Sequence, residues 1–168
     1  MSVQEHKDLA PKMARCMIVT VSDTRNEETD KSGRLIHSFL SVHKHDIQEY
    51  RIVSDDKGQI QEAVQFAIDK EDIDVVIFNG GTGIAFRDVT IESLTSFFEK
   101  EITGFGELFR MLSYTEDIGS AAMLSRAVAG VHGKTAIFAL PGSSGAVKLG
   151  MEKLILPELT HIVQQLYK

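Results

Sequence analysis

The chain has 168 residues, which suits one domain, and 43% of them are hydrophobic, which is material for a sizeable core. Twenty-four acids against eighteen bases leave a net charge of −6, with no long Lys/Arg run to build the basic face of a broad nucleic-acid footprint. A single cysteine excludes an internal disulfide, and no apolar run approaches the ~18 residues of a membrane span.

Residues 1–13 are polar and mixed and read as a flexible tail without the apolar stretch of a signal peptide, so a reducing cytoplasm is the expected compartment. Arg15–Val21 reads as a buried strand, with Cys16 as a small hydrophobe rather than a nucleophile. It ends in the polar cluster Ser22-Asp23-Thr24-Arg25. Leu35, Ile36, Phe39 and Leu40 recur at helical spacing, Ile47–Val53 alternates as a second strand, and Ile60, Val64, Ala67 and Ile68 mark another amphipathic helix. Asp74–Phe78 is a third strand. Ile91, Leu94, Phe97 and Phe98 form one helical stripe, and Phe105, Leu108, Phe109 and Leu112 another. Within the latter, Glu107 and Arg110 are spaced for a surface ion pair. Val128–Val131 and Thr135–Leu140 read as strands joined at His132-Gly133, and Pro141–Gly145 ends the second of them. A final helix carries Val147, Met151, Leu154 and Ile155, and Pro157 is expected to break it before a turn-rich end. Residues 14–168 therefore form one domain, an α/β three-layer αβα sandwich around a mostly parallel sheet.

Chemistry concentrates after the third strand, in Asn79-Gly80-Gly81-Thr82-Gly83-Ile84-Ala85-Phe86-Arg87-Asp88-Val89-Thr90. Glycines lacking a Cβ let backbone N–H groups converge on phosphate oxygens, and a nearby carboxylate can hold magnesium. Four loops follow apolar strands: Ser22-Asp23-Thr24, Asp55-Asp56, Gly80–Asp88 and Pro141–Gly145. In a parallel sheet all four meet at the carboxyl edge. Each also has an ordinary reading: Asp55-Asp56 as a turn and helix cap, Asp88 or Thr90 as a cap, and Gly80-Gly81 as a turn.

Three motif-like strings do not hold. Gly133-Lys134-Thr135 lacks the earlier P-loop glycine, since position 128 is Val, and it leads into a strand, so it is a hairpin turn. Gly81-Thr82-Gly83 misses the dinucleotide fingerprint at Phe86, and Gly142-Ser143-Ser144-Gly145 misses the nucleophile elbow at Ala146. The six histidines have no zinc spacing with cysteine.

In order along the chain, Thr20-Val21-Ser22-Asp23, Asp30-Lys31-Ser32-Gly33, Gly80-Gly81-Thr82-Gly83, Arg87-Asp88-Val89-Thr90, Gly104-Phe105-Gly106-Glu107, Leu124-Ser125-Arg126 and Leu140-Pro141-Gly142-Ser143 resemble the MoaB/MogA family of molybdenum-cofactor biosynthesis proteins. The ending Pro141–Val147 looks like its MoaB branch. The resemblance implies a molybdopterin-binding fold, a homotrimer or homohexamer, and adenylyl transfer from Mg-ATP to molybdopterin ahead of a molybdenum-insertion protein. It implies that Asp55 and Asp88 are the catalytic, Mg²⁺-holding acids. It also implies that Ser22, Asp23, Gly80, Gly81, Thr82, Gly83, Ser125, Pro141, Gly142 and Ser143 bind nucleotide or pterin. The chain departs from the family pattern at Ser54 and Asp56, often Pro and Glu, and at Ile84 and Phe86, which replace Pro and Arg. A non-catalytic molybdopterin-binding or protein-interaction paralogue is the alternative, and a nucleotide-pyrophosphate hydrolase ranks below it. Neither nucleic acid nor membrane is an expected partner.

Overall fold

In the computed structural model, which describes residues Met1–Lys168, six strands form one sheet in the order β2-β1-β3-β6-β5-β4. They are β1 (Arg15–Val21), β2 (Asp46–Val53), β3 (Val75–Asn79), β4 (Lys100–Glu101), β5 (Val128–His132) and β6 (Thr135–Leu140). The first four in spatial order are parallel, whereas β5 runs antiparallel to β6 and β4. The helices are α1 (Val3–Asp8), α2 (Lys31–Val42), α3 (Lys57–Asp69), α4 (Thr90–Thr95), α5 (Thr103–Glu116), α6 (Ser144–Gly150) and α7 (Leu156–Leu166).

Strand periodicity builds the layers. Cys16, Ile18, Val75, Ile77, Ala136 and Phe138 face a core shared with Ile36, Leu40, Phe105, Phe109, Val147 and Leu159 of α2, α5, α6 and α7. Met17, Val19, Val76, Phe78, Ile137 and Ala139 face the other way, onto Ile60, Val64, Ala67 and Leu94 of α3 and α4. Both faces of the sheet are thus buried, which is why β1, β3 and β6 read as unbroken apolar runs. Cys16 is fully buried, and burial pushes its thiol up to about 12, consistent with an inert core position. The parallel strands also end in step: Val21 pairs with Val53, Thr20 with Asn79, and Asn79 with Leu140. That register brings the four strand-following loops to one edge.

Four expectations need correction. The opening residues carry a helix: Ser2 and Glu5 make a capping box, and Lys7 pairs with Glu158 of α7. Pro157 does not end the last helix. It sits in the first turn of α7, directly after a π turn at Met151–Ile155, where the ladder is already changing partners and a missing N–H is accommodated. The Ile91–Phe98 stripe is helical only to Thr95, and Phe98 then lies against Gly130, where a Cβ would meet its ring at 2.3 Å. Arg110 does not pair with Glu107; it donates to the Ala127 carbonyl at 3.0 Å. The β5–β6 turn is the hairpin read from Gly133-Lys134-Thr135, with Gly133 at φ 56°.

Candidate active site

The four loops enclose a two-lobed cleft at the carboxyl edge of the sheet. The polar lobe, about 240 Å³, is lined by Ser22, Asp23, Thr24, Arg25, Asp55, Gly80, Gly81, Arg87, Asp88 and Gly142. The second, about 390 Å³, shares Gly81, Asp88 and Gly142 with the first. It adds Phe109, Ile118, Leu124, Pro141 and Ala146 as apolar wall, and Thr82, Gly83, Ser113, Asp117, Ser125 and Ser143 as polar or small positions. Every residue expected at the site therefore lines one lobe or the other.

The loop geometry explains the glycines. Gly80 and Gly81 take φ values of 97° and 66°, open to glycine and strained for other residues. A Cβ on Gly80 would lie 2.3 Å from the Val21 carbonyl, and one on Gly81 would lie 2.3 Å from Thr90 Oγ1 and 2.9 Å from Asp55 Oδ1. Thr90 is no cap. Its hydroxyl donates to the Gly80 carbonyl at 2.8 Å and its N–H to the Gly81 carbonyl at 3.1 Å, pinning the start of the loop. Asp88 does not cap α4 either; its carboxylate accepts the Ala85 N–H at 3.0 Å and closes the loop's far turn.

The adjacent acids divide their work. Asp56 caps α3, accepting the Gln59 N–H at 2.9 Å, while Asp55 faces the polar lobe. Asp23 Oδ1 accepts the Asp55 N–H at 2.9 Å and so fixes that residue's backbone. Burial raises the Asp55 carboxyl above its ordinary value, as does repulsion from Asp23 and Asp88, and Arg87 offsets part of this. A cation between these acids would relieve that repulsion. No group of three or more His, Cys, Asp or Glu side chains converges to hold a metal ion. Two hard carboxylates beside an open, phosphate-sized lobe nevertheless fit Mg²⁺, which takes one or two protein ligands and completes its shell with water and substrate phosphate.

The serines play different parts. Ser22 accepts N–H groups from Thr24 and Arg25 at 3.2 and 3.1 Å and shapes its loop. Ser143 caps α6 through Ala146 at 3.2 Å. Ser125 Oγ is buried without a partner while its residue lines the second lobe, so a ligand there would satisfy it.

Arg25 was not among the expected site residues. It donates to Ser32 Oγ at 2.6 Å and to the Gly142 carbonyl at 3.0 Å, and stands 3.8 Å from the buried carboxylate of Asp30. Behind it Ser32 donates to Asn79 at 2.7 Å and Asn79 to Thr20 at 2.9 Å, so a buried polar chain braces the edge. Its only sequence signal was membership of the Ser22–Arg25 polar cluster. Asp117, at the C-terminal end of α5, carried none.

Comparison with known proteins agrees with this geometry. The family model described as "Probable molybdopterin binding domain" matches residues 17–161. Molybdenum cofactor biosynthesis protein B of Bacillus cereus is 61% identical over 168 residues, spanning 100% of this chain and 99% of that protein. A crystal structure of molybdenum cofactor biosynthesis protein B superposes with a TM-score of 0.91 at 61% identity, covering 94% of this chain and 98% of the other. The tungsten cofactor synthesizing protein MoaB from Pyrococcus furiosus gives a TM-score of 0.84 at 43% identity, covering 95% of this chain and 100% of its own. A molybdopterin-binding fold, a two-lobed cleft built on the family's motifs and full-length identity with these relatives together make this chain a member of the MoaB family of molybdenum cofactor biosynthesis proteins.

Proposed function

We propose that the chain transfers AMP from Mg-ATP to the terminal phosphate of molybdopterin, releasing pyrophosphate. The observation carrying this reading is the pairing of Asp55 and Asp88 in a polar lobe that opens directly into a larger, partly apolar one. Such a cleft suits a polyphosphate beside a flat heterocycle. A terminal phosphate oxygen of molybdopterin attacks the α-phosphorus of ATP; the new P–O bond forms as the α–β bridging bond breaks, and the electron pair leaves with pyrophosphate. No proton need move. Magnesium, when bound at Asp55 and Asp88, supplies charge neutralisation on the phosphates. Gly81, Thr82 and Gly83 offer backbone N–H groups, that of Gly80 being held by the Leu140 carbonyl at 3.0 Å; Arg25 and Arg87 add positive charge, and Asp23 holds Asp55 in place. Ser125, Ser143 and the Pro141-Gly142 turn line the pterin side.

The test is an anaerobic assay with molybdopterin, ATP and Mg²⁺, quantifying pyrophosphate and adenylylated pterin. Wild type is expected to form both, with Asp55→Ala and Asp88→Asn each losing about 10²–10³-fold in turnover while still binding pterin. Pterin bound by the wild type without product would overturn the reading. It would leave the non-catalytic binding role, which Phe86, fully exposed where a basic residue is usual, favours.

We also infer a homotrimer or homohexamer working in the cytoplasm and delivering its product to a molybdenum-insertion protein. Supporting assembly, Leu108, Met111 and Tyr114 on α5 and Ile118, Met123 and Leu124 after it are all exposed.

A further inference from the structure

Beside Ser125 of the second lobe, Arg126 is the side chain most connected to the glycine loop. Arg126 Nε donates to the Thr82 and Gly83 carbonyls at 3.2 and 3.1 Å. Its Nη2 donates to the Gly83 carbonyl at 2.6 Å and to the Asp88 carbonyl at 3.3 Å, and Nη1 pairs with Glu92. One guanidinium thus grips the outgoing arm of the glycine loop, its return at Asp88 and the helix that follows. Thr90 pins the loop at Gly80 and Gly81, the Gly80 N–H donates to the Leu140 carbonyl at 3.0 Å, and Ala85 and Asp88 bond to each other within the loop. Between these points Arg126 is the side chain that hydrogen-bonds the loop to the body of the protein.

We propose that Arg126 is a positioning residue for adenylyl transfer, setting the distance between Asp88 and Asp55 by holding the Gly83 and Asp88 carbonyls in one fork. It touches neither lobe: the residues lining the cleft include its neighbour Ser125 and not Arg126 itself. The requirement is for a planar group with spaced donors: Nη2 reaches the Gly83 and Asp88 carbonyls while Nε holds those of Thr82 and Gly83, and a single lysine ammonium does not occupy both positions. The ion pair with Glu92 is secondary. Both side chains are partly exposed, at 30% and 52%, and such pairs contribute little. Arg126 holds Glu92 below its usual carboxyl value without that shift bearing on the site.

This inference rests on the adenylyl-transfer reading, and its test separates the two. Arg126→Lys, Arg126→Ala and Glu92→Gln are compared with wild type in the anaerobic assay under Mg²⁺ titration. Pterin binding, thermal melting and hydrogen exchange of the 80–92 segment are measured on the same samples. Arg126→Lys and Arg126→Ala are expected to lower kcat about 10–100-fold and to raise the Mg²⁺ concentration for half-maximal rate by a similar factor. The KM for molybdopterin stays within about twofold, and exchange accelerates only at residues 82–90. Glu92→Gln keeps the carbonyl contacts and stays within about twofold of wild type. Wild-type kcat, Mg²⁺ dependence and loop exchange in Arg126→Lys would overturn the proposal, as would equal losses in pterin binding and in melting temperature. If the wild type makes no adenylylated pterin, the exchange measurement still decides whether Arg126 orders Asp88, and only the enzymatic reading falls.

Discussion

Asp55 and Asp56 are chemically alike and adjacent, yet one is a helix cap and the other faces three charged groups in the cleft. The difference follows from direction. Asp56 is the residue from which α3 departs, so its carboxylate reaches back to the Gln59 N–H, while the chain turn points Asp55 toward the Gly81 loop. Placing Asp55 there has a stability consequence of definite sign. Burial and the neighbouring acids raise its carboxyl, so the folded protein holds that proton more tightly than the unfolded chain. The contribution favours folding at low pH and is lost as pH rises through the raised value. Asp55→Asn in metal-free buffer is therefore expected to melt no lower than wild type at pH 7, and up to a few degrees higher. The difference should close below about pH 4, where the unfolded carboxyl is protonated as well. Calorimetry at both pH values checks this, and a lower melting temperature for the variant at pH 7 would refute it. The same variant should lose turnover, the usual cost of relieving a strained functional site.

At the scale of elements, the glycine loop is the part on whose shape the proposed chemistry depends. It leaves β3, turns through two residues of positive φ, and returns into α4 with Thr90 fastening its base. Gly81→Ala would place a methyl group against Thr90 Oγ1 and Asp55 Oδ1 in a left-handed conformation. The expected result is a loss of about 1–3 kcal/mol in urea unfolding together with loss of turnover, because relaxation moves Asp55 or Thr90. Gly104→Ala is its control: an added Cβ there meets nothing within 4 Å, and a normal φ accepts alanine. If Gly81→Ala unfolds and turns over like the control, the loop is not the constrained element described. Elements with long periodic runs, such as α2, α3 and the buried strands, were readable from residue spacing alone. The two-residue strand β4 and the turn at Gly119–Leu124 were not, since such short pieces carry no period and form only against β5 and α5. The capping box at Ser2 and Glu5 is present in the residues, but no apolar stripe follows it and the helix buries no residue.

For the whole molecule, the proposed assembly would draw on residues that also line the cleft. The exposed apolar residues of α5 and of the turn after it include Ile118 and Leu124, which also line the second lobe. A second copy seated there would close that lobe from outside. Sedimentation velocity is expected to give a trimer or hexamer, and Met111→Glu, on the exposed side of α5, to shift it toward monomer with the fold retained. A wild-type monomer at micromolar concentration would refute the assembly. No helix is long and apolar enough to cross a membrane, in keeping with the absence of long apolar runs. Fold class, the glycine loop after the third strand and the meeting of four loops at one edge were all legible in the residues. Local backbone chemistry and the strand–helix alternation leave few other arrangements for such a chain. The division between Asp55 and Asp56, the grip of Arg126 on three carbonyls, and the placing of Arg25 and Asp117 at the cleft arose only in three dimensions. Each depends on groups far apart in sequence meeting at a particular distance, and neither spacing nor composition encodes a distance.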